Sequence, residues 1–332
     1  MGWSKMGFHG DRRYMSMREV TFNDYLDYIK DHNKILIEGS ELEIGIKQRF
    51  ERYGPESFKL EETTVWSFPE RGDWATHRGD YRGNWPPQLA RNIILRYSRP
   101  GELVLDQMCG GGTTLVECKL LQRKAIGVDI NLEALMLCWD RLNFHIDVGE
   151  SEQKVEIKLY QGDARNLNLI ESERVDLIAT HPPYAGIIKY SKSRSSDGDL
   201  SKEPIEDFLE SMREIARESF RVLRPGRYCA ILIGDTRRHR HYVPLAFRVM
   251  QCFLDAGFIL REDIIKHQWK VKKSGEKWKG LAKTAEECWV DKPANKRFWT
   301  DFLLIYHEHL FVFRKPKKGE KLEGFIYSMK WW

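Results

Sequence analysis

A chain of 332 residues, 42% hydrophobic and 31% charged, can bury a sizeable core. It suits one domain of about 200–250 residues with an appendage, or two small domains. No uncharged apolar run of about 18 residues occurs, which argues against a membrane-spanning helix and a membrane partner. Met1-Gly2-Trp3-Ser4-Lys5 opens no apolar secretory segment. The six cysteines (Cys109, Cys118, Cys138, Cys229, Cys252, Cys288) lack Cys-x-x-Cys spacing. Neither a disulfide framework nor a zinc knuckle is expected, and a reduced, cytoplasmic setting is. The 54 basic against 49 acidic residues leave +5, which permits an anionic partner without demanding one.

Thr21 with Asp24 forms a cap signal ahead of Tyr25, Leu26 and Ile29, predicting a first helix. Glu41 to Tyr53 is a second candidate helix. Between Thr63 and Pro87 the texture is aromatic and basic with little periodicity, from Trp66 through Trp74, His77 and Tyr81 to Trp85. That segment reads equally as a cover packed on the main domain and as the rim of a ligand cleft.

From Leu89 onward helices and strands alternate. The spacing predicts helices over Leu89–Tyr97, Thr114–Leu121, Leu132–Asn143, Ile205–Phe220 and Pro244–Ala256. Between them lie strands Leu103–Leu105, Lys124–Val128, Val155–Tyr160, Val175–Thr180 and Arg227–Ile233. Phe258–Ile265 and Phe302–Phe313 close the chain as a hairpin with a charged, tryptophan-punctuated insertion at about 266–300. The alternation predicts a doubly wound, mostly parallel α/β sheet with an antiparallel C-terminal hairpin and an N-terminal helical and aromatic extension. The expected boundaries are 1–84 for the extension and 85–332 for the main domain. Ligands of such sheets sit at the carboxyl ends of the strands, where Asp106, Asp129, Asp163 and His181 fall.

The sharpest motif is Asp106-Gln107-Met108-Cys109-Gly110-Gly111-Gly112-Thr113-Thr114, a strand entering a glycine-rich turn and then a helix. A phosphate loop needs Gly-Lys-Ser/Thr, and Thr113 follows Gly112 directly. A dinucleotide site wants a third Gly or Ala where Leu115 stands. An S-adenosylmethionine cleft needs no phosphate cradle, only an acid about 20 residues on for the ribose hydroxyls, and Asp129 fits. Asp163, in Gly162-Asp163-Ala164, could accept from the adenine amino group. The second motif, Thr180-His181-Pro182-Pro183-Tyr184, makes a rigid corner after a buried strand. Tyr184 can stack on a planar ring. His307-Glu308-His309 suggests a metal only weakly: Glu308 alternates with its neighbours across a strand and no third ligand is apparent, so no metal is expected.

These two motifs resemble those of the S-adenosylmethionine-dependent amino-methyltransferases, chiefly DNA N4-cytosine and N6-adenine enzymes, over Trp85 to Phe313. In that family Asp-Pro-Phe-x-Gly-x-Gly-Thr-Thr precedes Ser/Asn/Asp-Pro-Pro-Tyr. The run from Glu117 to Asp129 adds to the match, and Asn84-Trp85-Pro86 resembles the family's cofactor-tail motif. The resemblance implies a Rossmann-like methyltransferase sheet with S-adenosylmethionine held by Asn84, Trp85, Asp106, Met108, Gly110, Gly112, Thr113, Thr114, Asp129, Ile130, Asp163, Ala164 and Thr180. It implies catalysis by His181, Pro182, Pro183 and Tyr184, with direct methyl transfer to an exocyclic amine of a flipped base. The chain departs from the pattern at Gln107 and Met108, in place of Pro-Phe, and at His181. A non-acidic residue before Pro-Pro-Tyr favours N4 of cytosine slightly over N6 of adenine. DNA is the expected substrate and RNA the alternative. A homodimer and a cognate restriction endonuclease are partners the family resemblance admits. Lys189, Lys192, Arg194, Arg237 and Arg238 follow strand ends on the same edge and are candidate phosphate contacts.

Overall fold

The structure is a computed structural model that describes residues 14–37, 40–46, 50–81, 83–146, 155–183, 199–239, 241–269, 303 and 305–330. It opens with β1 (Arg18–Val20) and α1 (Phe22–Asp31). Thr21 Oγ1 accepts from the Asp24 N–H while the Asp24 carboxylate accepts from the Thr21 N–H at 2.7 Å, so the expected cap is a reciprocal box. β2 (Lys34–Ile37) and β3 (Ser40–Glu43) then form a hairpin. This corrects the helix expected from Glu41. Burial in β2 alternates, Ile35 and Ile37 rest on Ala134 and Leu137, and Gly45 turns the chain away at φ 78°. Charged residues at helix-like spacing imitated a helix; two-residue periodicity decided the outcome.

Most of the remaining elements follow the sequence reading; the short strands at Val65–Trp66, Thr236–Arg238 and His241–Val243 are not among those it expects. In chain order these elements are β4 (Val65–Trp66), α2 (Pro87–Tyr97), β5 (Leu103–Asp106), α3 (Thr113–Leu120), β6 (Lys124–Asp129), α4 (Leu132–Leu142), β7 (Ile157–Gln161) and β8 (Val175–Thr180). Then come α5 (Ile205–Val222), β9 (Leu223–Ile233), β10 (Thr236–Arg238), β11 (His241–Val243), α6 (Leu245–Asp255), β12 (Ile259–His267) and β13 (His307–Arg314).

Among the described residues nine strands make one sheet in the order β1-β7-β6-β5-β8-β9-β13-β12-β4. The five strands from β7 to β9 are parallel, and β12 and β13 pair antiparallel as the closing hairpin. Successive strand residues alternate between two layers. Leu105, Ile178 and Ile231 pack beneath α5 and α6, while Val104, Leu177 and Ala230 pack beneath α2 and α3. Strand order reverses between β5 and β8, and a crevice opens at the carboxyl ends there.

The first 84 residues supply both edges of this sheet: β1 pairs with β7, and β4 pairs with β12. Trp66 and Trp74 are buried in the layer above the sheet, so the aromatic stretch is partly cover. Glu117 of α3 anchors it from a fully buried position. Its Oε1 accepts from Trp74 Nε1 at 2.7 Å and from His77 Nε2 at 2.8 Å, and its Oε2 accepts from Arg91 at 2.9 Å. Burial holds His77 below the ordinary imidazole range despite Glu117, so the neutral ring donates through Nε2–H. No helix among the described residues is long and apolar enough to cross a membrane.

Candidate active site

A cavity of about 370 Å³ lies at the carboxyl ends of β5, β6 and β7. Its floor is the glycine turn between β5 and α3. Gly110 (φ 48°) and Gly112 (φ 79°) adopt the left-handed conformation that a side chain resists. A Cβ on Gly110 would meet the Tyr81 ring at 2.9 Å, and one on Gly111 would meet Arg141 at 2.4 Å. Arg141, buried in α4, donates to the Gly111 carbonyl at 2.7 Å and pairs with Asp80. The turn is therefore held from behind by a helix and from above by the aromatic segment.

Of the expected cofactor residues, Asn84, Trp85, Asp106, Met108, Gly110, Asp129, Ile130, Asp163 and Ala164 border this cavity. Asp129 ends β6 at the cavity wall. Its Oδ2 accepts from the Gly110 N–H and its Oδ1 from the Asn131 N–H, both at 2.9 Å. Burial pushes this carboxyl up to about 6 against those two bonds, and Asp199 adds to the rise. Asp106 is likewise pushed up to about 6 by burial, although Thr114 and Thr180 donate to it at 2.5 and 2.9 Å.

Those two threonines, with Gly112 and Thr113, do not themselves border the cavity. Gly112 caps α3, and Thr113 Oγ1 donates to the Asn84 side chain. They hold the residues that form the wall. Asp163 reaches the cavity as well. Arg165, two residues on, holds its carboxylate with a fork of bonds at 2.7–3.1 Å and fixes its orientation.

His181 and Pro183 border the cavity from the β8 side, with Pro182 buried behind them. Trp85 stacks on the His181 ring at 6.0 Å between centroids and 14° between planes. Burial holds His181 below the ordinary imidazole value, opposed by Glu308 and a backbone bond with Gly83 and reinforced by Lys266. Lys266 and Glu308 form a buried pair at 2.8 Å. Arg237 and Arg238 lie on β10, just past the carboxyl end of β9. Tyr184, Lys189, Lys192 and Arg194 lie outside the described residues, as does most of the 266–300 insertion.

Sequence reasoning missed Tyr81, Asp199 and Leu200 at the cavity. Only Tyr81 carried a signal, as an aromatic in the segment before Asn84. It also found no third ligand beside His307 and His309, whereas the fold brings Asp235 to them and turns Glu308 to the other face.

A family model described as DNA methylase, of the N6/N4 type, matches residues 16–138 and 175–330. The chain belongs to this family of S-adenosylmethionine-dependent amino-methyltransferases. A second model, described as RMKL-like methyltransferase domain, matches residues 80–223 of the N6/N4-type chain. Among relatives, tRNA (guanine(10)-N2)-dimethyltransferase of Methanothermobacter thermautotrophicus is 33% identical over 40% of this chain and 35% of its own length. Type II methyltransferase M.SmaI of Serratia marcescens is 34% identical over 26% of this chain and 29% of its own. Type II methyltransferase M.BglII of Bacillus subtilis is 28% identical over 49% and 42%. The matches thus span about 29–42% of these relatives' lengths. A SAM-dependent methyltransferase of Methanosarcina mazei is similar in structure with a TM-score of 0.42 and 15% identity, covering 68% of this chain and 97% of that one.

Proposed function

We propose that this methyltransferase modifies an exocyclic amino group of a DNA base, N4 of cytosine ahead of N6 of adenine. One observation carries the reading: a single cavity joins the glycine turn and Asp129 on one side to the His181–Pro183 corner on the other. The residues fit S-adenosylmethionine. A glycine surface that a Cβ would fill faces a carboxylate placed for hydroxyls, between apolar walls from Trp85, Met108, Ile130 and Leu200. When bound, the cofactor supplies an electrophilic methyl group on a sulfonium.

The chain's own residues supply position and hydrogen-bond acceptors. An exocyclic amine shares its lone pair with the ring, so acceptors aimed at its hydrogens assist as it becomes tetrahedral. The neutral His181 imidazole and the Pro182 carbonyl take that role, and Trp85 fixes the imidazole plane. In-line placement supplies much of the remaining rate. Tyr184 stacks on the extruded base, and Arg237 and Arg238, with Lys189, Lys192 and Arg194, contact phosphates. RNA is the second reading, favoured by the similarity to the tRNA dimethyltransferase. Incubation with labelled S-adenosylmethionine and separate DNA and RNA pools, followed by nucleoside mass spectrometry, tests both. N4-methylcytosine in DNA is expected; label found in RNA alone overturns the DNA reading.

Only the neutral imidazole has a free acceptor nitrogen. Because burial holds His181 below the ordinary imidazole range, single-turnover transfer at saturating cofactor should persist through that range and fall only at more acid pH. His181→Asn should keep part of the activity and flatten the acid limb. A wild-type rate and an unchanged limb in His181→Ala would show that the ring takes no part. For Tyr184, the alanine variant should lose methyl transfer but keep cofactor affinity, and Tyr184→Phe should retain much activity because the ring face does the stacking. Equal losses in both variants would assign the role to the hydroxyl instead.

A further inference from the structure

Three side chains meet beside the crevice without serving the reaction described above. His307 and His309 project from one face of β13, and Asp235 sits in the turn that leaves β9, the strand paired with β13. One ligand-type atom from each lies within 4.8 Å of the other two. His309 is 4% exposed, and its Nε2 meets no well-formed hydrogen-bond partner among the described residues, although against the pull of burial the carboxylates of Asp235 and Asp263 raise the ring to about 9. That nitrogen stands 3.5 Å from Asp235 Oδ2, too far for a good hydrogen bond. It is close to the ligand–ligand edge of about 3.3–3.4 Å that tetrahedral bonds of about 2.0–2.1 Å produce.

The surroundings are those of a supported ligand set. The other ring nitrogen of His309, Nδ1, bonds Asp263 Oδ1 at 3.0 Å, the carboxylate–histidine support that fixes tautomer and ring orientation in metal sites. Asp235 is oriented by the Ala246 N–H on Oδ1 at 2.8 Å and by the Tyr242 hydroxyl on Oδ2. Phe247 and Phe311 pack against the His309 ring and close its apolar side.

We propose that Asp235, His307 and His309 bind one divalent transition-metal ion, zinc above all, which ties the turn after β9 to the start of β13. Two imidazoles and one carboxylate suit zinc; magnesium and calcium want oxygen donors throughout. The ion would brace β13, whose opposite face carries Glu308, a charge that favours the protonated form of His181. The competing arrangement is a proton on His309 shared between Asp235 and Asp263, with no metal.

The test uses the full chain, stripped by chelator and titrated with Zn²⁺ by calorimetry, with metal content measured after dialysis. Saturable uptake of one zinc per chain and a raised Tm are expected, with no response to Mg²⁺. His307→Ala and Asp235→Asn should abolish that uptake, and Asp263→Asn should weaken it about 10–100-fold. Co²⁺ should give a visible absorption band in the wild type that His307→Gln loses, which keeps the test decisive if the alanine variant folds poorly. Absence of saturable zinc uptake, or uptake that survives both His307→Gln and Asp235→Asn, overturns the proposal.

Discussion

Glu117→Ala is expected to destabilise the protein by about 3 kcal/mol, near the lower end of the 3–5 kcal/mol cost of breaking a buried ion pair. The carboxylate is fully buried and takes three donors, from Trp74, His77 and Arg91. Its removal leaves two buried N–H groups and a guanidinium without an acceptor. The Arg91 side chain is 17% exposed and recovers some hydration, which keeps the figure at the low end. The loss should also reach the cavity, since the segment that Glu117 anchors continues into Tyr81, Asn84 and Trp85. Denaturant unfolding measures the first effect and calorimetry with S-adenosylmethionine the second. A change under about 1 kcal/mol would mean that the aromatic segment is held by packing alone.

Asp129→Ala should weaken S-adenosylmethionine binding by about 2–4 kcal/mol, the cost of one or two hydrogen bonds to a charged group. The backbone N–H groups of Gly110 and Asn131 lose their acceptor as well, so the turn loosens with the loss of ligand contact. The same carboxylate predicts a pH dependence. Asp129 and Asp106 titrate near about 6 in the folded chain, above the ordinary 3.8. Their contribution to stability is therefore complete below about 4 and is lost as pH rises through 6. Ligand hydroxyls favour the ionised form, so binding must expel a proton once pH falls below 6, and affinity should decline there. Calorimetry in buffers of different ionisation enthalpy should detect proton release in the wild type and less in Asp129→Asn. Unchanged affinity in a folded Asp129→Ala variant would remove this residue from the site.

Much of the site was legible because strand ends are local events. Asp106 and Asp129 follow short buried runs that stop at turn residues, and alternation of helix with strand places such ends along one edge. The Pro-Pro corner likewise marks the end of β8 from sequence alone. What escaped depends on neighbours far along the chain. Asp199 reaches the cavity from a segment with no motif of its own, and Arg141 reads as one cation in an apolar helix until the Gly111 carbonyl is found above it. Asp235 joins His307 and His309 only through the register that sets His309 opposite Ile233. The fork that Arg165 places on Asp163 joins residues two apart, yet the Gly-Asp-Ala turn by itself does not reveal it.

The last edge strand bears on how the chain assembles. Val65 and Trp66 pair with Ile265 and Lys266, so a segment made early has no sheet to join until β12 exists. Contacts this remote in sequence close late, because the loop entropy must be met before the pairing repays it. The parallel strands β5 to β8 can form first, while the pairing of β4 with β12 settles afterwards. Pulse-labelled hydrogen exchange should then protect amides of β5 and β6 before that of Ile265, which donates to the Thr64 carbonyl at 2.8 Å. Simultaneous protection would argue for one concerted step. On this order of events, the outer edge of the sheet is the last part of it that a newly made chain completes.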